Sequence, residues 1–577
     1  MTNKSPKDAI NMLYSERKDF IIIGLTGRTG AGCSTVASLL AKDFEKLNPP
    51  KPKEYGFDNN EERKYRVVYE YAQVNWRKFI IIRVRDIITS FVLEQDFNNF
   101  IILLEKYKDS ILGYKELIKE LSSLKEQYNL LHNKIIEIKK NIDEGNEYRL
   151  SADNIYKTYF EDLNSFTDSI QEIFNKYEIY EHKASLFTYL YQIFGNNIRK
   201  SGSVYNEEFY PEKIFTLSYR INLIIKLLRK MNIKSRKGVT VVIDALRNPY
   251  EVSFFKDRYS AFYLFSINTN DGDRVRRLIK KGFSDKQIET LDDQEYPEKK
   301  GNEQFSSQNI QKCIELSDIY LYNPDERDKN FNFLKKQIVK YVSLIMHPGL
   351  VTPTHEERCM QVAYICKLNS GCISRQVGAA VTDSNYSIKA IGWNSVPEGQ
   401  VPCNLRDLTS MISGFDKEAF SCYETDTEEY KQHIKEKIEG KIDCESLNGR
   451  IFSYCFKDAY NSYEQRKNQV HTRALHAEEN AFLQISKYGG VGLKGGFLFT
   501  TASPCELCAK KAYQLGIKKI YYIDPYPGIS RSHVFNCGSN KPELILYKGA
   551  IGRAYAKLYE QIIPYKDELY LLTSIKF

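Results

Sequence analysis

The stretch Phe20 to Leu40, FIIIGLTGRTGAGCSTVASLL, constrains the fold more than any other. Its apolar run does not alternate with polar residues, as expected of a strand covered on both faces. Three glycines then turn the chain into CSTVASLL, which reads as a helix. A strand that feeds straight into a helix needs a crossover, and crossovers build parallel sheets with helices on their faces. The same alternation recurs downstream. GVTVVIDALRNPYE carries a β-branched strand ending at Asp244, and AFYLFSINT is another apolar strand. DRVRRLIKKG places Arg274, Arg276 and Arg277 on a helix, and IQKCIELSDIYLYN reads as helix then strand. The expected class is α/β.

The glycine turn has the register of a phosphate-binding loop, G-x-x-x-x-G-K-[ST], at Gly27, Gly32 and Ser34. Cys33 occupies the lysine position. Backbone N–H groups at a helix start suffice to bind an anion, but a kinase uses the lysine to offset charge on the transferred phosphoryl group. The residues expected around a phosphate are Gly27, Gly30, Gly32, Cys33, Ser34, Thr35 and Asp244. Ser34 and Asp244 would hold Mg²⁺ with a nucleotide, and Arg28 or Arg274 would replace part of the missing charge. Three roles stay open: a site for a nucleotide effector, a structural or docking relic, and an active kinase.

Between these markers lies a long insertion, about residues 95–235. Tyr114, Leu117, Leu121, Leu124, Tyr128, Leu131, Ile135, Ile138 and Ile142 follow one another in steps of three and four. This heptad pattern predicts a long helix, packed either within the chain or against another chain. Pro348, Gly349 and Pro353 mark a linker, after which a helix opens at Thr354. At 577 residues, two or three domains are expected: a first of residues 1–340 and a second of residues 341–577.

Of 12 cysteines, only Cys33 and Cys313 precede residue 350. The N-terminus has no apolar run of the kind an export signal carries, so a cytoplasmic protein with free or metal-bound thiols is expected. The second domain holds HAEENAFLQI from His476, and FLFTTASPCELCAKKAYQLGI with Cys505 and Cys508. The latter reads as strand, then Pro504, then a helix ending near Gly516. Two thiolates on one helical turn reach a single metal ion, and His476 supplies a third ligand. Three ligands leave one position of tetrahedral zinc for water, whose pKa the metal lowers. Glu478 is not needed as a ligand and is placed to move protons. H-x-E…P-C-x-x-C is the signature of zinc nucleobase deaminases. A structural zinc knuckle or a redox pair would share C-x-x-C, but neither explains Glu478. Cys403, Cys422, Cys444, Cys455 and His471 lie just ahead of this motif; a second structural zinc and isolated thiols both stay open.

SGCISRQVGAAVTDSNYSIKAIGWNSVPEGQVPC precedes the metal motif and resembles the R-Q-V-G-A-V strand and G-Y-N-G-x-P turn of the dCMP deaminase family. Trp393 stands where that family has tyrosine. The resemblance implies a cytidine deaminase-like α/β/α sandwich, with Arg375, Asn394, Ala477 and Tyr526 (in DPYPG) in contact with substrate. A P-loop kinase-like parallel sheet with a long helical insertion, fused ahead of such a domain, is similar to the bacterial anti-phage dCTP/dCMP deaminases. That likeness covers most of the chain, apart from the heptad insertion and residues 403–470. It implies deamination of free deoxycytidine nucleotides, depletion of the dC pool during infection, and a hexamer or similar homo-oligomer. An inhibitory RNA, a protein partner or a nucleotide effector would each serve to hold such an activity off.

Two other functions compete. One is a housekeeping dCMP deaminase feeding thymidylate synthesis. The other is an editor of bases in nucleic acid, which would want a basic groove with stacking aromatics. Net charge is +9 and the 42 tyrosines are spread out, with no arginine-rich run beside them. FIIIRVRDIITSFVL is broken by Arg83, Arg85 and Asp86, so no membrane span is expected.

Overall fold

The computed structural model describes residues 6–144, 152–179, 185–235, 238–295, 301–324, 330–441, 444–466, 468–490, 492–524 and 529–575. They form two units, Met1–Thr352 with Arg553–Phe577, and Pro353–Gly552.

In the first unit, β1 (Phe20–Thr26) lies at the centre of a parallel sheet. It pairs with β3 (Val239–Asp244) on one side and β4 (Phe262–Asn268) on the other. β2 (Ile80–Arg83) extends the sheet beyond β3, and β5 (Ile319–Tyr322) beyond β4. Parallel register puts all carboxyl ends on one edge. The glycine turn after β1 and Asp244 at the end of β3 therefore meet there, with Arg83 opposite Asp244.

The heptad stretch is two helices, Tyr114–Ser122 and Lys125–Asp143. Leu117, Leu121, Tyr128, Leu131, Ile135 and Ile138 are buried in one cluster with β-sheet residues of the same unit, while Tyr114, Leu124 and Ile142 pack partly buried against it. The apolar stripe is thus used within the chain. Tyr128 anchors it, donating to the Val92 and Gln95 carbonyls at 3.0 and 2.9 Å. Among the described residues no single helix is long and apolar enough to cross a membrane.

The expected second domain of 341–577 differs from the observed division at both ends. Residues 341–352 belong to the first unit: the Asn332–Met346 helix lies on the Asn60–Asn75 helix, with the Ser343 hydroxyl on the Val68 carbonyl at 3.1 Å. The C-terminal segment returns to the first unit as well. Glu568 accepts from Tyr14 at 3.1 Å and lies 2.7 Å from His347 Nε2. That buried pairing was not legible from local pattern.

The second unit is built on a mixed five-stranded sheet in the order β10-β9-β8-β6-β7. Its strands are β6 (Gly378–Thr382), β7 (Ile388–Trp393), β8 (Phe497–Ala502), β9 (Lys519–Asp524) and β10 (Glu543–Leu546). β6 runs antiparallel to both neighbours; β8, β9 and β10 are parallel. Two glycines set how closely helices approach. A Cβ on Gly378 would collide with the Ala363 carbonyl of the His355–Cys366 helix, and one on Gly392 with the Ala477 carbonyl of the Ala477–Tyr488 helix. Gly392 pairs with Ala379, the neighbour of Gly378. Successive residues face opposite ways, so the two helices cover opposite faces of the sheet. The His355–Cys366 helix starts with a capping box: Glu357 N–H donates to Thr354 Oγ1 at 3.1 Å, and Thr354 N–H to Glu357 Oε2 at 2.9 Å. Residues between β7 and His476 form a small cluster of their own around Leu408, Met411, Phe420, Tyr430 and Tyr454.

Gly392→Ala should destabilise the second unit by about 1–3 kcal/mol through overpacking against helix backbone. Denaturant unfolding checks this, with Gly492→Ala, where an added Cβ meets nothing within 4 Å, as the variant expected to unfold like the parent.

Candidate functional site

Two helix starts converge in the second unit. β8 is buried throughout and leads through Ser503 and Pro504 to Cys505, which caps the Glu506–Gln514 helix. Cys508 is buried one turn on, and the Ala509 N–H donates to the Cys505 carbonyl at 2.8 Å. His476 caps the Ala477–Tyr488 helix in extended backbone, its carbonyl accepting from Asn480 N–H at 2.8 Å. His476 Nδ1 lies 3.3 Å from Cys505 Sγ and 3.5 Å from Cys508 Sγ. All three donor atoms fall within 4.8 Å of one another, the one such triple of metal-ligating side chains among the described residues. An ion pair from Lys511 to Glu479 ties the two helices together.

The electrostatics suit a cation. Hydrogen bonding from the Cys508 thiol and from His476 pulls Cys505 down to about 4, against its burial. The hydrogen bond to Cys505 raises His476, and Cys508 rises because its proton is shared with Cys505 and its site is buried. One imidazole nitrogen and two sulfurs, one already a thiolate, are a donor set that fits zinc.

Glu478 sits in the first turn beside this triple and is 4% exposed. Burial pushes its carboxyl above the ordinary glutamate value, opposed by hydrogen bonding from its own backbone N–H and by His476. The Thr500 hydroxyl lies 2.8 Å from the Ala502 carbonyl and 3.3 Å from Glu478 Oε1, so β8 presents a polar group to this carboxyl. A buried carboxyl raised toward neutrality can both accept and release a proton.

The other expected site residues are placed as follows. Asn394 is bound to the start of β6: its Oδ1 accepts from Val377 N–H at 3.1 Å. The next residue, Ser395, exchanges backbone bonds with Leu475, N–H to carbonyl at 3.3 and 2.9 Å, and so holds Asn394 beside the His476 segment. Arg375 is engaged by the buried carboxylate of Asp524, a sheet-edge ion pair. Ala477 is fully buried, its carbonyl against Gly392. Tyr526 lies outside the described residues, as does the Cys444 side chain. Cys403, Cys422, Cys455 and His471 join no metal-ligating triple among the described residues. Arg473 and Glu424 were not singled out from sequence. Fully buried Glu424 accepts from Arg406 and, at 3.1 Å, from Arg473, three residues before His476. This pairing joins the inserted cluster to the metal-ligand segment, and no local motif signals it.

In the first unit the loop residues surround a cavity of about 590 Å³, which Gly30, Gly32, Cys33, Ser34, Thr35 and Asp244 line. Gly27 stands behind it; a Cβ there would lie 2.6 Å from the Ile267 carbonyl. Burial and the nearby Asp244 push the Cys33 thiol up to about 12, so it carries no charge. Burial also raises Asp244, while hydrogen bonding from Ser34 lowers it. Arg28 and Arg274 do not supply the missing charge: Arg28 pairs with Asp271 and Asp292 at 2.6 and 2.8 Å, and Arg274 with Asp292 at 2.6 Å. The cations that line the cavity besides Arg28 are Arg247, Arg277, Lys280 and Lys281. One loop amide is already used, since Thr29 N–H donates to the buried Glu295 carboxylate at 2.8 Å.

Residues 353–524 match the sequence pattern of the cytidine and deoxycytidylate deaminase zinc-binding region. The deoxycytidylate deaminase of Enterobacteria phage T2 is 31% identical over 170 residues, 29% of this chain and 78% of that protein. That of phage T4 is 29% identical over 171 residues, 29% of this chain and 76% of that protein. The dCMP deaminase of cyanophage S-TIM5, solved with dCMP and dUMP, aligns over 34% of this chain and 99% of its own at 23% identity, with a TM-score of 0.21.

Cys505→Ala and Cys508→Ala should each lose the bound zinc measured by metal analysis of the purified protein. Cys403→Ala, Cys422→Ala and Cys455→Ala should retain it.

Proposed function

Since the chain belongs to the cytidine and deoxycytidylate deaminase zinc-binding family, we propose that it hydrolyses the amine of cytosine on free deoxycytidine nucleotides, dCMP, dCTP or both. The observation that carries this is the meeting of His476, Cys505 and Cys508 beside a buried Glu478, whose carboxyl burial raises above the ordinary glutamate value. These three residues would hold zinc, which when bound supplies an acidified water as the nucleophile. Glu478, as its carboxylate, would take the two protons of that water in turn, passing one to the pyrimidine ring nitrogen and one to the departing amine. The bond from the ring carbon to oxygen forms, the bond to the amine breaks, and ammonia leaves with uracil as the product base. Thr500, 3.3 Å from Glu478 Oε1, positions that carboxyl. Asn394 and Arg375 lie at the start and edge of the sheet where the family's substrate contacts would fall. In this chain both are engaged within the protein, Asn394 with the Val377 N–H and Arg375 with Asp524.

In the first unit, the glycine turn and its cations support binding of a nucleotide effector. The neutral Cys33 argues against phosphoryl transfer, because nothing stands at the lysine position to offset the charge. A nucleotide-responsive unit joined to a deaminase supports a role in draining the dC pool during phage infection. Supply of dUMP for thymidylate synthesis is the second reading, favoured by the resemblance of the second unit to stand-alone deoxycytidylate deaminases.

Chromatography of products after separate incubation of zinc-loaded protein with dCMP, dCTP, CTP and a cytosine-containing DNA strand tests the activity. Release of dUMP or dUTP from free deoxynucleotides is expected; uracil only in the strand would overturn the reading. Glu478→Gln should keep its zinc and lose turnover by about 10²–10⁴-fold.

A further inference from the structure

The cluster between β7 and His476 contributes no side chain to the metal triple, yet it holds a buried charge that reaches the segment leading into it. Glu424 is fully buried there. Its carboxylate accepts from the Ser421 N–H and hydroxyl, both at 2.9 Å, and from Arg406. Arg406 is fully buried as well. It donates through Nε to the Ala419 carbonyl at 2.8 Å and lies over the rings of Phe420 and Tyr454, at 4.8 and 5.0 Å from their centroids. Neither charge can shift without disturbing the core of the cluster.

Arg473 stands three residues before His476, in a segment that has no helix or strand of its own. One amine of its guanidinium donates to Glu424 at 3.1 Å, and the other to Gln400 Oε1 at 3.3 Å. Gln400 belongs to the stretch that follows β7 and opens with Asn394. Two residues after Arg473, Leu475 exchanges backbone bonds with Ser395 of that same stretch, at 3.3 and 2.9 Å. Side chain and backbone therefore grip one turn at two points, and the chain then enters the helix capped by His476.

A histidine at a helix cap takes its position from the backbone that enters the helix. The two bonds to Ser395 hold that backbone only as firmly as the turn itself is held. Arg473 adds a tie of another kind, to a carboxylate already fixed inside a packed core. The order of contacts runs from Arg406 to Glu424 to Arg473 to the segment that delivers the metal ligand.

We propose that Arg473, anchored by Glu424, is a positioning residue for His476, and that the inserted cluster thereby sets the zinc affinity of the second unit. It rests on His476, Cys505 and Cys508 holding zinc and needs no assumption about the substrate. Removing Arg473 leaves Arg406 opposite Glu424, so no buried charge is stranded and Arg473→Gln should fold.

Competition for zinc against a chromogenic chelator, on the full-length protein, tests it. Arg473→Gln should bind zinc about tenfold more weakly than the parent. Arg473→Lys, which keeps a cation facing Glu424, should restore most of that loss. Glu424→Asp keeps the charge but draws it back from Arg473, and should weaken zinc in the same direction. Combined with Arg473→Gln it should add little, because both act through one contact. Lys487→Gln breaks a different ion pair to the same turn, at Glu398, and should bind zinc like the parent. Parent-like affinity in either Arg473→Gln or Glu424→Asp would overturn the proposal. So would full additivity of the two, or equal weakening in Lys487→Gln, which would mean that any loosening of the turn suffices. A parent protein that takes up no zinc would overturn the metal site itself, and this role for Arg473 with it.

Discussion

The Cβ that Gly392 lacks lets the Ala477–Tyr488 helix rest its backbone on β7. The depth of that helix decides where its first turn ends up, and its first turn carries His476 and Glu478. Any larger residue would lift the helix by a side chain's thickness, and a metal triple closed to within 4.8 Å cannot absorb such a displacement. The Cys505–Cys508 turn is fixed by a strand buried throughout, and the Lys511–Glu479 ion pair ties it to that helix. The chemistry of the second unit thus rests on backbone packing far simpler than the site it supports.

The electrostatic logic follows from burial. A carboxyl with 4% exposure would rather be neutral, and a thiol pair sharing one proton leaves one sulfur charged. These preferences put negative charge on Cys505 and raise the carboxyl of Glu478 above the ordinary glutamate value. In the first unit the same physics works differently. A buried Cys33 is a neutral thiol, Arg28 and Arg274 are consumed by Asp271 and Asp292, and Glu295 occupies the Thr29 amide. That unit keeps a cradle for anions without the charge arrangement that transfers them.

Features that depend on neighbours in sequence were legible before folding. H-x-E at a helix start, P-C-x-x-C after a strand, and the glycine turn after β1 all reappear where their spacing puts them. Features that depend on partners far apart were not. Arg375 and Asp524 meet across 149 positions, and Thr500 reaches Glu478 only because β8 lies under the Ala477–Tyr488 helix. The heptad pattern gave the apolar face and left packing within the chain as one of two readings, but it did not show the break near Leu124. The return of Glu568 to Tyr14 and His347 needed a buried polar partner some 554 positions away, which no window of sequence can signal.

X-ray absorption at the zinc edge of the purified protein tests the central claim most directly. The account predicts two sulfur and one nitrogen ligands from the protein with a fourth, light-atom position open to solvent. A closed shell of four protein ligands, or zinc with no sulfur neighbours, would contradict it.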